Sequence, residues 1–327
     1  MTKTRNLLTA GLLGAGLLAL TACGGTAAST SNSADAGETR KINVTVAPVV
    51  DTSPVYLAQQ QGLFKKKNLE VTISVAPTAG ARIPALVSGA AQFGLVGSAD
   101  VLQAASAGIP LRAVGTTSVT TKDPARDTGK VFVAADSDVK DPADLNGRAV
   151  AVGGLGGGGE LSLRAALDEA GADSSKVKFL EVPFDSMLNS LETGQVDAIS
   201  TVAPFTDAAK ASGAREIMSP GALAVPGATQ QILVTTQDYL GKDPEAAKDF
   251  VDAMAEATEY AAENPQAVRK ILPTFSKTPQ KVADTMQLPV FDPDLTVERV
   301  RIWSDLMLRY GFVKKEVNVD ELVAEVR

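Results

Sequence analysis

Residues 42–76, INVTVAPVVDTSPVYLAQQQGLFKKKNLEVTISVA, decide the fold, because they hold a strand, a helix and a second strand with their punctuation. INVTVA alternates apolar and polar residues as a half-buried strand does, and VTISVA repeats the pattern. Between them Asp51-Thr52-Ser53-Pro54 opens a helix, with Ser53 as N-cap and Pro54 at the first helical position, and Gly62 closes it. The same grammar then returns: helix Ile83–Gly89, strand Phe93–Val96, a helix from about Asp100 to Ala107 ended by Gly108, and strand Leu111–Gly115. A second set begins near Asp136, with strand Arg148–Val152, a glycine loop, helix Glu160–Gly171, strand Val177–Val182, helix Asp185–Gly194, strand Asp197–Val202 and a helix from Pro204 to Ala211. ALVSGAAQFGLV (residues 85–96) and NSLETGQVDAISTV (residues 189–202) share one pattern of helix end, glycine cap, turn and strand, which marks two similar halves. Strands and helices that alternate through short turns call for an α/β fold with mostly parallel sheets covered on both faces.

From Asp243 the texture becomes helical. DPEAAKDFVDAMAEATEYAAEN reads as a long amphipathic helix capped by Asp243, followed by PQAVRKIL, by TPQKVADTM capped by Thr278, and by TVERVRIWSDLMLRYG ending at Gly311. A last short helix is expected from Asp320, and a tail of this kind should pack back on the first half.

At the other end, Lys3 and Arg5 precede an apolar run from Leu7 to Leu20. That run is shorter than the ~20 residues a membrane span needs and ends in small residues, so it reads as an export signal. Leu20-Thr21-Ala22-Cys23 resembles the bacterial lipobox, in which the signal is removed and the cysteine receives a diacylglyceryl group; the alternative is an ordinary small residue near a cleavage site. On this reading residues 1–22 are the signal and residues 23–40 a lipidated flexible tether, GGTAASTSNSADAGET being too polar to order itself. Such a coil spans ~20–24 Å, and two or three acyl chains would hold the exported protein stably on the outer face of the cell membrane.

Composition narrows the function. Without the signal, 29 basic residues face 38 acidic ones, which argues against nucleic acid or anionic lipid as partner of the folded part. The chain has no histidine, which removes the commonest general base, the usual zinc ligand and every triad that works through an imidazole. Its single cysteine forms no disulfide framework. A binder needing no cofactor or metal is expected rather than an enzyme.

Four fragments in order, SPVYLAQQQGLFKKKNLEVTI (53–73), ALVSGAAQFGLVGSADVLQAASAGIPLRAV (85–114), DPADLNGRAVAV (141–152) and LETGQVDAI (191–199), resemble the substrate-binding lipoproteins of the nitrate/sulfonate/taurine and thiamine-precursor group of ABC importers. The resemblance covers Ile42 to Phe312. It implies a two-lobed periplasmic-binding-protein type II fold with the ligand between the lobes, joined by two crossing strands near Lys130–Ala135 and Gln230–Thr236. Lobe I would take residues 41–134 and 234–327, including the helical tail, and lobe II residues 135–233. The implied partners are a small-molecule solute and an ABC permease with a separate ATPase, and the implied state is a monomer. The same fold also serves as a sensor or co-receptor.

Ligands in such a cleft collect at strand C-termini and helix N-termini, where free backbone N–H groups point outward. Lobe I then offers Thr52, Ser53, Gly97, Ser98, Thr116 and Thr117; lobe II offers the loop 153–159 with Gly156, Gly157 and Gly158, then Asp185 and the stretch from Thr201 to Thr206 with Phe205. Each Ser or Thr serves equally well as a cap for its own helix. Arg82 is the cation to single out: pointing inward, its fork suits a sulfonate, carboxylate or nitrate; pointing outward, it is a solvated surface group. Lys65-Lys66-Lys67 reads as a solvated face.

Residues 154–159 match GxGxxG, but six glycines in seven positions satisfy almost any glycine pattern and an exported protein meets little NAD. A loop that lets a ligand approach the backbone is the better reading, with Glu160 either an amine partner or a favourable first-turn acid. Ser137-Asp138-Val139-Lys140 is a bare SxxK in a polar connection, and no GKS/T follows the glycine loop, so ATP hydrolysis falls to another subunit. Ring recognition favours Trp or Tyr, and the chain has one tryptophan, Trp303, in its helical tail. Tyr56, Phe184 and Phe205 remain as walls or core. The balance tilts to a small polar or anionic solute of sulfonate, taurine or nitrate type; a heterocycle such as a thiamine-precursor pyrimidine is favoured if Trp303 or Tyr56 lines the cleft.

Overall fold

In the computed structural model, residues 39–76 and 78–326 are described; the segment read as an export signal, Cys23 and most of the expected tether lie outside the described residues. The first half runs β1 (Arg40–Val46), α1 (Ser53–Gln60), α2 (Leu63–Lys66), β2 (Leu69–Val75), α3 (Ala79–Val87), β3 (Phe93–Gly97), α4 (Ser98–Ser106) and β4 (Leu111–Val119). The second runs β5 (Gly129–Val133), β6 (Ala149–Val152), α5 (Gly158–Glu169), β7 (Lys178–Glu181), α6 (Phe184–Glu192), β8 (Ala198–Val202), α7 (Phe205–Ala211), β9 (Arg215–Met218) and α8 (Pro220–Ala224). The chain then returns through β10 (Thr229–Thr236), α9 (Gln237–Lys242), α10 (Pro244–Glu263), α11 (Pro265–Phe275), α12 (Gln280–Ala283), β11 (Val290–Phe291), α13 (Val297–Arg309) and α14 (Val319–Leu322). The architecture is α/β with two mixed sheets, ordered β11-β4-β10-β3-β1-β2 and β7-β6-β8-β5-β9.

Most cap signals act as their chemistry dictates. Asp243 and Thr296 accept from the N–H groups of Ala246 (3.0 Å) and Arg299 (3.2 Å) at the starts of α10 and α13. Gly62 takes the left-handed conformation, φ +69°, that ends α1. The start of α1 differs from expectation: a 3-10 turn at Val50–Thr52 precedes it, Ser53 is already helical, and its hydroxyl donates back to the Val50 carbonyl at 2.7 Å. Arg40, assigned to the tether, begins β1 instead, because its guanidinium donates to the Lys67 carbonyl (3.1 Å) and pairs with Asp249.

The stretches expected to cross between lobes, residues 130–135 and 230–236, lie within single sheets. β5 is antiparallel to β8 and β9, and β10 is antiparallel to β3 and β4. The chain changes sheets just before each, through residues 120–128 and 219–228. A segment arriving from the other sheet enters at the edge where the parallel strands end, so it must run backward along them. Backbone and side chain tie the two passages together. Thr120 N–H donates to Ala228 O (2.8 Å), Gly227 N–H donates to Thr120 O (3.1 Å), and the buried Asp127 carboxylate accepts from Ala222 N–H (2.8 Å) and Gly129 N–H (3.1 Å).

The first sheet is covered on one face by α1, α2 and α10, whose Phe64 and Phe250 pack with Phe93, and on the other by α4 and α13. The tail helix α13 packs on this sheet as expected. It also reaches the second sheet's core: Leu306 and Tyr310 touch both clusters, and Tyr310 OH donates to Asp168 Oδ2 on α5 at 2.6 Å. The described residues accordingly form one compact unit.

Candidate functional site

The parallel strands of the first sheet end at Val46, Val75, Gly97 and Val119, and β10 starts beside the last two. Their ends place the starts of α1, α3 and α4 together. The parallel strands of the second sheet end at Val152, Glu181 and Val202, beside the starts of α5, α6 and α7. Ala99 on α4 and Gly158 on α5 are neighbours: a Cβ at Gly158 would lie 3.6 Å from that of Ala99 and 3.6 Å from the Trp303 ring. The ends of the two sheets therefore meet at one seam, the place where ligands collect in open α/β folds.

Most hydroxyls picked from the sequence are spent on the backbone. Thr52, fully buried, lies 2.9 Å from Ala47 O and 2.8 Å from Val49 O. Ser53 is bound as above, and Ser98 donates to Thr229 O at 2.5 Å. Thr116 donates to Gln231 O at 2.7 Å. A Cβ at Gly97 would stand 3.1 Å from Asp100 Oδ2, so the carboxylate would have to give by a few tenths of an ångström.

Arg82 is not a solvated surface group. It is 5% exposed, its Nη1 donates to Ala76 O at 2.7 Å, and its Nε is buried with no partner. Burial pulls its pKa down, while Asp100 in the first turn of α4 pushes it up. The same burial raises the Asp100 pKa against the pull of Arg82. Two groups with opposed charge and shared desolvation thus sit at the end of β3.

The glycine loop is built around two contacts. Gly156, at φ +77°, donates its N–H to Glu160 Oε2 at 2.8 Å, while Glu160 Oε1 is held by Arg164 at 2.7 and 2.6 Å. Glu160, only 5% exposed, is therefore consumed inside its own helix and is not an open amine partner. Gly157 caps α5. Gly153 lies under the Phe184 ring, where a Cβ would be 2.2 Å from Phe184 Cζ. Phe205 stacks on Phe184 with centroids 6.0 Å apart and 20° between planes, making a two-ring wall at the starts of α6 and α7. Asp185 is exposed beside it and accepts from Ser186 Oγ at 3.1 Å.

Trp303 is 5% exposed, donates Nε1–H to Thr229 O at 2.6 Å and packs its ring on Gly158, so it props the seam rather than walls a cleft. Tyr56 stacks on Phe275 at 3.9 Å with 5° between planes, which occupies one face of its ring; its hydroxyl is buried without a partner.

Sequence reasoning passed over Asp51, Asp100, Thr229, Gln231 and the Gly153–Phe184 contact. Asp51 accepts from Ser118 Oγ at 2.7 Å across the end of β4, and burial pushes its carboxyl pKa up. Thr117 Oγ1, Thr201 Oγ1, Thr229 Oγ1 and Gln231 Oε1 are buried and unpartnered, like Arg82 Nε. An unmade hydrogen bond of this kind costs ~1–3 kcal/mol, so each asks for a ligand or water; Thr229 and Gln231 stand at the start of β10, Arg82 on α3 and Thr201 near the end of β8 in the other sheet. The polar start of the strand TQQILVTT was a usable signal, because a buried strand gains nothing from Thr229 and Gln231 unless something bonds them. Two open grooves lie apart from the seam: one of about 520 Å³ between α1, α2 and β2, and one of about 260 Å³ between β4, α10 and the last residues, which Thr116 and Thr117 also border. Among the described residues, no group of three or more His, Cys, Asp or Glu could hold a metal, and no helix is long and apolar enough to cross a membrane.

Comparison with known proteins agrees with this geometry. The family model described as NMT1/THI5 like matches residues 50–268. The taurine-binding periplasmic protein of Escherichia coli K12 is 26% identical over 243 residues, 73% of each chain. The formylaminopyrimidine-binding protein of Halalkalibacterium halodurans is 25% identical over 248 residues, 75% of this chain and 73% of its own. Among solved structures, the periplasmic aliphatic sulphonate binding protein of Escherichia coli superposes with a TM-score of 0.74 at 19% identity, over 88% of this chain and 92% of its own.

Proposed function

Because the chain belongs to the NMT1/THI5-like family, we propose that it is the extracytoplasmic solute-binding component of an ABC importer. It is held to the membrane through Cys23 and hands a small polar or anionic solute of sulfonate, taurine or nitrate type to a permease whose ATPase is a separate subunit. It acts as a monomer and performs no covalent chemistry. The observation that carries this reading is the seam where strand ends of both sheets meet, on whose flanking elements buried polar atoms lack partners: Thr229 Oγ1 and Gln231 Oε1 at the start of β10, Arg82 Nε on α3, and Thr201 Oγ1 near the end of β8 in the other sheet. Contacts from both lobes to one solute would favour the shut arrangement over the open one, with residues 120–128 and 219–228 absorbing the rotation.

A heterocycle is the second reading, supported by the Phe184 and Phe205 rings beside Gly153, which offer an apolar wall on the second sheet. Thermal unfolding of the chain from Gly24, against taurine, alkanesulfonates, nitrate and formylaminopyrimidine, tests both. Ligand at a thousandfold over its Kd adds ~4 kcal/mol and raises the midpoint by several degrees. A shift with sulfonates supports the first reading, a shift with the pyrimidine alone replaces it by the second, and silence with every solute counts against a solute-binding role.

A further inference from the structure

We propose that Asp51 selects the solute, and that the solute carries a protonated amino group seated on the Asp51 carboxylate. The inference rests on the solute-binding reading above and narrows it. Asp51 lies in the 3-10 turn that leads into α1, is partly buried, and uses Oδ1 to accept from Ser118 Oγ at 2.7 Å. Among the described residues it has no ion-pair partner, and no nearby cation opposes the upward push that burial gives its pKa.

Other acids of the region are compensated. Glu160 is clasped by Arg164, Asp127 accepts two backbone N–H groups, and Asp100 feels Arg82. A carboxylate taken out of water without a counter-charge is costly, and folded proteins avoid the situation unless a ligand resolves it.

The β4–β10 ladder beside Ser118 offers mostly lone pairs. Ser118 has spent its proton on Asp51, and Thr116 has spent its own on Gln231 O. Gln231, the ladder partner of Ser118, holds a buried Oε1 with no donor, and the hydroxyls of Thr117 and Thr229 are also unpartnered. An ammonium brings three donors and no acceptor, which matches one carboxylate plus neighbouring lone pairs. Arg82 cannot supply the charge: β10 lies between β3, whose end carries the Arg82 and Asp100 pair, and β4, which carries Ser118, so the two places stand over strands ~10 Å apart. Arg82 stays available for an acidic end of the same solute, while Asp51 takes the amino end.

The experiment compares matched probes on the chain from Gly24 by thermal unfolding and calorimetry: taurine against isethionate, in which a hydroxyl replaces the amine, and β-alanine against 3-hydroxypropionate. The same protein is also equilibrated with a defined mixture of small metabolites, and the retained compounds are read by mass spectrometry. Retained compounds that carry an amine, and amino probes bound at least tenfold tighter than their partners, support the inference. Asp51→Asn, which keeps an oxygen for Ser118 while removing the charge, should abolish that preference. The matched-pair comparison on the unaltered protein needs no variant to fold. Equal binding of isethionate and taurine, retained compounds without amines, or a preference that survives Asp51→Asn overturns the inference and leaves the solute-binding reading standing. Retention of nothing at all removes that reading and the inference with it.

Discussion

Replacing Gly153 by alanine should disturb the second-sheet wall through one contact. The new Cβ would lie 2.2, 2.6 and 2.7 Å from three atoms of the Phe184 ring, so the ring must retreat by about 1.2 Å to reach ordinary contact at 3.4 Å. Phe184 is partly buried against the core cluster that holds Phe132, Met187, Leu191 and Ile199, and its retreat breaks the parallel contact with Phe205. Overpacking costs ~1–3 kcal/mol and a lost aromatic pair ~0.5–1.5 kcal/mol; because the ring can swing outward, a total near 2 kcal/mol is expected. That corresponds to a midpoint lower by about 3–6 °C in a chain of this size. Urea and thermal unfolding of Gly153→Ala, Phe184→Ala and the double variant would form a cycle. The alanine should cost nothing further once Phe184 is gone. Additive losses would refute the reasoning, since they would mean that Gly153 is required for backbone conformation rather than for the ring above it.

Arg82→Ala should weaken binding of an acidic solute by ~1–3 kcal/mol, read by calorimetry, and should also lower stability, because Ala76 O and Asp100 lose the same guanidinium. Trp303→Phe keeps a ring over Gly158 and removes the donor to Thr229 O; a loss of ~1 kcal/mol in urea unfolding is expected, and no loss would mean that the contact is idle. Asp51 has its pKa raised in the folded state, so it favours folding at low pH and opposes it as pH rises through that raised value. Asp51→Asn should therefore stabilise the ligand-free protein at pH 7, with the advantage shrinking toward pH 4, followed by thermal melts across that range; an advantage that grows on acidification would contradict it. Tyr310→Phe should cost ~0.5–1.5 kcal/mol through the lost bond to Asp168, measured by urea unfolding.

What could be read from the chain by itself depended on local signals. Asp243 before Pro244, Thr296 before α13 and the left-handed glycines after α1 and α4 act within a few residues, so their pattern states the element and its ends. The helix from Asp100 actually begins at Ser98, and α3 begins at Ala79 rather than Ile83; both shifts add residues at starts where no side-chain cap marks the boundary. β9, α8 and β11 escaped because each has five residues or fewer and takes its stability from neighbours rather than from its own pattern. The family resemblance carried the two-sheet architecture, since four ordered fragments span both halves.

The sequence by itself determined the α/β class, the absence of histidine chemistry, and the set of strand and helix ends from which a site had to be drawn. Only the tertiary structure decided which of those groups are free. Thr52, Ser53, Ser98, Thr116 and Glu160 are chemically fit for a ligand, yet each meets a partner already placed by the fold. Asp51, Thr229 and Gln231 looked like turn and strand residues until Ser118 and the ladder between β4 and β10 brought them to one edge. The physical reason is that a polar atom's availability is settled by desolvation and by partners distant in sequence, here 67 residues away for Asp51 and Ser118, and no local pattern encodes either.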